Sequence, residues 1–216
     1  MIRIAIVDDH PIIRRGVRQI IDMEEDLAVT VEASNPSDLL LALGTQPCDV
    51  LLLDISLGER NGLEIMADIR ILQPKIQVIA LSVYPPAQFA AAAFRAGASA
   101  YLTKESAPEE LVKAIRTVRA GRRYVNSAAG DALAEAIHAG QPDPLQLLSP
   151  RELEVLRLYC SGRTVTEISN DTGLNVRTVS TYKSRILGKL KLSTNADLIA
   201  YAVRHNLIGG SKSAAG

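Results

Sequence analysis

Two cysteines in 216 residues, Cys48 and Cys160, are too few and too far apart to suggest a disulfide framework or a cysteine metal cluster, so free thiols in a reducing compartment are expected. No apolar run is long enough to cross a bilayer, and no charged-then-apolar leader with a small-residue cleavage site opens the chain. Internal repeats are missing too, and so is any excess of charge, since 24 Lys+Arg balance 24 Asp+Glu. These absences lead away from a stapled secreted domain and from a helical membrane protein. The expectation is a cytoplasmic protein with no membrane partner.

What is present fits a globular chain: 47% hydrophobic and 22% charged residues, with enough length for two modest cores. The neutral total hides an asymmetry. Residues 148–216 carry ten Lys/Arg against five Asp/Glu, which leaves 14 against 19 in the residues before them. A basic C-terminal module favours a polyanionic partner such as double-stranded DNA, and an acidic N-terminal module favours a cation site or simple solubility.

Up to about Gly121, short β-branched runs alternate with amphipathic helical stretches, the order of a parallel sheet covered on both faces. The strands expected are Ile2–Val7, Leu27–Ala33, Val50–Asp54, Ile76–Leu81 and Ala98–Leu102. Between them, Ile13, Val17, Ile20 and Ile21 make one apolar stripe at helical spacing, and Leu111, Ile115 and Val118 make another. The alanine-rich stretch 127–139 predicts a short helix, and Gly140-Gln141-Pro142-Asp143-Pro144 a flexible hinge. The fold class expected is α/β, a five-stranded parallel doubly wound domain over 1–121. A linker with a short helix follows over 122–147, then a small all-α domain over 148–208 and a disordered tail over 209–216.

In a parallel sheet, ligands bind beyond the carboxyl ends of the strands. That rule brings Asp8 and Asp9, Asp54, Ser82, Tyr101 and Lys104 to one edge. Crowded carboxylates repel unless a divalent cation sits among them, and Mg²⁺ suits oxygen ligands that leave positions for water and phosphate. A carboxylate on the central strand is then placed to act as nucleophile towards a phosphoryl group, while a lysine opposite compensates charge. An aspartyl-phosphate hydrolase is the enzyme alternative; the adjacency of Asp8 and Asp9 and the lack of a substrate-cap insertion argue against it.

The patterns Val7-Asp8-Asp9-His10-Pro11, Leu53-Asp54-Ile55-Ser56, Leu81-Ser82-Val83 and Tyr101-Leu102-Thr103-Lys104 resemble the receiver domains of two-component response regulators. The resemblance implies that Asp54 is the phospho-acceptor. It implies Mg²⁺ bound by Asp9, Asp54 and the Ser56 backbone carbonyl, with Asp8 helping through water. Lys104 would meet the phosphoryl oxygen, and Ser82 with Tyr101 would form a switch pair that moves inward on phosphorylation. One departure is Leu57-Gly58, where many members have proline second, which frees the loop after Asp54; Gly62 keeps its usual place.

The C-terminal residues split into four helical patterns, Pro150–Ser161, Val165–Thr172, Val176–Leu190 and Thr194–Asn206, the first opened by the capping box Ser149-Pro150-Arg151-Glu152. In the third, Val179, Tyr182, Ile186 and Leu190 form an apolar stripe, and Arg177, Ser180, Thr181, Ser184 and Arg185 point elsewhere. A helix with such a free polar face fits the major groove. The runs Leu148–Glu152, Val165–Ile168 and Thr178–Lys183 are similar to the LuxR-type helix-turn-helix, and with the receiver the whole resembles NarL/FixJ-type regulators. That implies a transcription regulator rather than an enzyme, phosphorylated by a sensor histidine kinase and binding DNA as a homodimer when phosphorylated. Its contacts would come from Arg177, Ser180, Thr181, Lys183, Ser184, Arg185 and Lys189. A plain helical dimerisation module is the alternative for this half.

Overall fold

The structure, a computed structural model, describes residues 1–57, 62–138, 145, 148–205 and 207. Gly58, the expected hinge at 140–144 and the expected tail at 209–216 lie outside the described residues. The chain divides into two compact units, Met1–Pro142 and Asp143–Gly216.

The first unit runs β1 (Ile2–Val7), α1 (Pro11–Asp22), β2 (Leu27–Ala33), α2 (Pro36–Leu43), β3 (Val50–Asp54), α3 (Met66–Leu72), β4 (Gln77–Ser82), α4 (Pro86–Ala96), β5 (Ala100–Thr103), α5 (Pro108–Arg119) and α6 (Ser127–His138). Five parallel strands lie in the order β2-β1-β3-β4-β5. Right-handed crossovers put α1 on one face and α2, α3 and α4 on the other, because the step from β1 to β2 runs against the rest. The central strand β3 is buried at all five positions, which is why it reads as a continuous apolar run. On the first face Ile4, Ile6, Leu52, Ile79, Leu81 and Leu102 pack against Val17 and Ile21 of α1 and Leu111, Ile115 and Val118 of α5. Burying each such side chain stabilises the unit by about 1.5–3 kcal/mol.

The first three strands match their expected spans, and the last two are shifted toward the carboxyl side. The ladder decides this: Ile79 pairs with Ala100 and Ser82 with Thr103, while Gly97 at φ 105° ends α4 and leaves Ala98 and Ser99 before the first ladder pair. The expected linker helix, α6, is not a free connector. It packs on α4, with Ala129 and Ala132 buried against that alanine-rich helix. The approach to it is also fastened, since Tyr124 N donates to Ser99 O at 3.0 Å and Asn126 Nδ2 to Glu110 Oε1 at 2.8 Å. This packing joins α6 to the first compact unit.

In the second unit the described helices are α7 (Pro150–Cys160), α8 (Val165–Thr172), α9 (Val176–Lys189) and α10 (Asn195–Arg204). Capping boxes open three of them: Ser149 with Glu152, Thr164 with Glu167, and Thr194 with Asp197. Each such cap supplies partners to backbone donors that a helix start leaves open. Leu153, Leu156, Ile168, Val179, Tyr182, Ile186 and Leu198 form the buried centre.

Candidate functional site

Sheet order reverses between β1 and β3, and a crevice opens at the carboxyl ends of strands flanking such a reversal. Asp8 follows β1, Asp54 ends β3, Ser82 ends β4 and Lys104 follows β5, so these side chains converge there. Ligand atoms of Asp8, Asp9, His10 and Asp54 all lie within 4.8 Å of one another. Asp8 and Asp54 are buried at 1% and 0% exposure.

Lys104 places its ammonium between the two buried carboxylates, 2.6 Å from Asp8 Oδ2 and 2.8 Å from Asp54 Oδ2. The other oxygen of Asp54 accepts a hydrogen bond from Ser56 N at 2.8 Å. Burial pushes the Asp54 carboxyl above its ordinary range, against the pull of Lys104. For Lys104, burial works against the charge, but Asp54 and Asp8 outweigh it and raise the ammonium's affinity for its proton. The charges hold one another in place, and none is solvated well enough to stand alone.

Two neighbours shape this crevice. A Cβ on Gly62 would stand 2.4 Å from Asp54 O and 2.8 Å from Ile55 Cα, so only glycine lets the returning loop pass behind the strand end. Ser82 Oγ accepts from Tyr84 N at 3.0 Å, and Tyr101 Oη donates to Tyr84 O at 2.9 Å. Burial pushes the Tyr101 hydroxyl up to about 12, with Ser82 pulling it the other way. Tyr101 and Ser82 are both at 0% exposure. Tyr101 is packed in, and Tyr84 O offers its hydroxyl a buried acceptor.

The acidic cluster is an all-oxygen carboxylate set with one imidazole beside it, and such hard donors fit a divalent cation of the magnesium type. His10 is the residue that reading the sequence passed over. Its signal was adjacency to the Asp pair, and its Nδ1 lies 3.0 Å from Asp8 Oδ1 and 2.7 Å from Asp9 Oδ1.

In the second unit, α9 buries Val179, Tyr182, Ile186 and the following Leu190, and exposes Arg177, Ser180, Thr181, Ser184 and Arg185. The hydroxyls of Ser180, Thr181 and Ser184 donate to carbonyls one turn back, at 2.9, 2.9 and 3.2 Å. Lys183 lies with its ammonium 4.6 Å from the Tyr159 ring centroid, a cation–π contact rather than a reach into solvent. Lys189, expected as a DNA contact, also has a partner within the unit. Its ammonium is 2.7 Å from Oε2 of Glu152, a carboxylate at 0% exposure that needs a cation more than a distant phosphate does. The capping spacing marked Glu152 as a helix cap, but nothing in it signalled this second partner.

The chain matches two families, the response regulator receiver domain over residues 4–116 and the LuxR family of bacterial regulatory proteins over residues 146–202. It is 35% identical over 209 residues to the response regulator UvrY of Escherichia coli (strain K12), covering 96% of each chain. A structure of the RcsB response regulator of Salmonella typhimurium, concerned with conformational dynamism for DNA interaction, superposes with TM-score 0.60 at 25% identity over 94% of this chain and 100% of that one. A second, RcsB of Salmonella enterica serovar Typhimurium bound to promoter rprA with the phosphomimetic BeF3-, gives 0.57 at 27% identity over 93% and 97%. Among the described residues no helix is long and apolar enough to cross a membrane.

Proposed function

Because the chain belongs to the NarL/FixJ-type response regulators, transcription regulators that join a receiver domain to a LuxR-type helix-turn-helix, we propose that Asp54 accepts the phosphoryl group and α9 reads DNA. The observation that carries the first half is the buried Asp54 carboxylate, paired by Lys104 and flanked by Asp8 and Asp9 within one ligand sphere.

A carboxylate oxygen of Asp54 attacks phosphorus. The bond from phosphorus to the donor's imidazole nitrogen or acyl oxygen breaks, and the electron pair leaves with the donor. Lys104, already on Oδ2, is placed to follow the transferred oxygens and to balance their charge. Asp9 and Asp54, with the Ser56 carbonyl, would hold Mg²⁺, and Asp8 would orient its water; when bound, the ion screens the incoming phosphoryl charge. Ser82 and Tyr101 form the switch, and Tyr84 is the residue through which they act, because its backbone bonds both. The donor is a sensor histidine kinase in the cytoplasm.

For α9, Arg177 and Arg185 with the exposed hydroxyls of Ser180, Thr181 and Ser184 are the contacts to base edges and phosphates, and Lys183 reaches phosphate on leaving Tyr159. Lys189 holds Glu152 and positions the helix. Phosphorylation shifts the population towards a homodimer on paired half-sites, in keeping with the promoter-bound, phosphomimetic state of RcsB. The test is a footprint of the full chain with and without acetyl phosphate and Mg²⁺. Protection that strengthens with the phosphodonor supports the reading, and equal protection without it contradicts the coupling.

A further inference from the structure

A cavity of about 550 Å³ opens at the amino edge of the sheet, the end away from Asp54. Arg3 lies at the start of β1, Asp49 precedes β3 and Gln77 opens β4, while Leu43, Leu72 and Arg119 are the last residues of α2, α3 and α5. Its size falls within the roughly 300–1,000 Å³ of small-molecule sites. The frame is held by bonds that need no ligand. Gln73 Oε1 accepts from Cys48 N at 2.9 Å, and Gln73 Nε2 donates to Leu43 O at 2.8 Å and to Gln46 O at 2.7 Å, which ties the end of α3 to the loop after α2.

Arg3, Lys75 and Arg119 are the cations of the lining, and Asp49 is its acid. Asp49 is taken up by Arg3: Oδ2 accepts from Arg3 N at 2.9 Å and from Nε at 3.0 Å, and Oδ1 accepts from Nη2 at 3.1 Å. Those bonds bring its carboxyl down to about 2, so it stays an anion held by Arg3. The Arg119 guanidinium comes to 3.5 Å from the same carboxylate and is half exposed, and Lys75 is exposed. The charge of Arg119 and Lys75 is thus left over for a ligand. Beside it stands an apolar wall of Leu43, Leu72 and Ile76, with Leu72 44% exposed.

We propose that this cavity binds a small phosphate monoester with an apolar or planar body, its dianionic head on Arg119 and Lys75 and its body against Leu72. A guanidinium matches a pair of phosphate oxygens and an ammonium adds a point charge. A monoester carries close to two negative charges on one group at neutral pH, where a carboxylate carries one. Such a ligand would touch none of the residues around Asp54, so this is a second site in the receiver.

The experiment titrates the ¹⁵N-labelled full chain with phenyl phosphate and follows amide resonances. Those of Leu43, Asp49, Leu72 and Gln77 should shift together and saturate, with Asp54 and Lys104 unmoved. Lys75→Gln with Arg119→Gln, both at exposed positions, should leave the spectrum folded and weaken binding on the order of tenfold. Benzoate, with one charge, and inorganic phosphate, with no apolar body, should each bind more weakly than phenyl phosphate. Shifts confined to Asp54 and Lys104, no saturable shift at the amino edge, or unchanged affinity in the double variant overturns the site. Benzoate or inorganic phosphate binding as tightly as phenyl phosphate overturns the ligand class.

Discussion

In the first unit Asp8, Asp54 and Lys104 are sunk to side-chain exposures of 5% or less, whereas in the second Arg177 and Arg185 stand in solvent on α9. The contrast follows from what each surface must do. A nucleophile and its counter-charges work best where water is excluded and each charge feels the next strongly. Groups that meet a polyanion must stay hydrated until it arrives, and their contributions add up by ion release. Charge in the first unit is therefore cooperative, and charge in the second is additive. In the second unit the buried Glu152 paired by Lys189 borrows the first unit's arrangement, and it supports a helix rather than a reaction.

The largest expected effect lies in the cooperative half. Lys104→Ala leaves two buried carboxylates without their cation and should cost about 3 kcal/mol in urea unfolding at pH 7. Asp54 already binds its proton more readily than an ordinary carboxyl, so the loss should shrink as pH falls and Asp54 neutralises. A loss under half a kcal/mol, or one that grows in acid, would break the comparison. Next comes Gly62→Ala, whose Cβ would meet Asp54 O and Ile55 Cα; it should cost about 2 kcal/mol and slow acetyl-phosphate labelling by displacing the strand end.

In the second unit, Glu152→Gln keeps the capping geometry but removes the charge that Lys189 pairs with, and should cost about 1–2 kcal/mol with weaker DNA binding. The smallest stability effect belongs to Lys183→Ala with Arg185→Ala, within about 0.5 kcal/mol of the parent. That double variant should nonetheless flatten the salt dependence of DNA binding by roughly one unit of log–log slope per lost phosphate contact. Unchanged binding and slope would remove α9 as the recognition surface.

Most of the architecture could be read from the sequence because the patterns are short-range. A run of four apolar residues followed by Asp54 and an apolar strand ending before Asp8-Asp9 specify both strand and edge, and the edge brings the acids together. The capping spacing from Ser149 to Glu152 likewise placed the first helix start of the second unit. What escaped depends on tertiary partners that no periodicity encodes. The α6 helix looks like a linker until α4 offers an alanine face, Lys189 looks solvent-bound until Glu152 proves to be buried beside it, and Tyr101 finds its acceptor on the Tyr84 backbone. His10 escaped differently: its position was visible, but its closeness to both neighbouring carboxylates depends on the turn into α1.

The central claim is that Asp54 alone carries the phosphoryl group. Labelling the full chain with acetyl phosphate and Mg²⁺, reducing the acyl phosphate with borohydride and mapping the peptides should convert Asp54, and no other residue, to homoserine, with none formed in Asp54→Asn. Homoserine at Asp8 or Asp9, or undiminished labelling of Asp54→Asn, would contradict it.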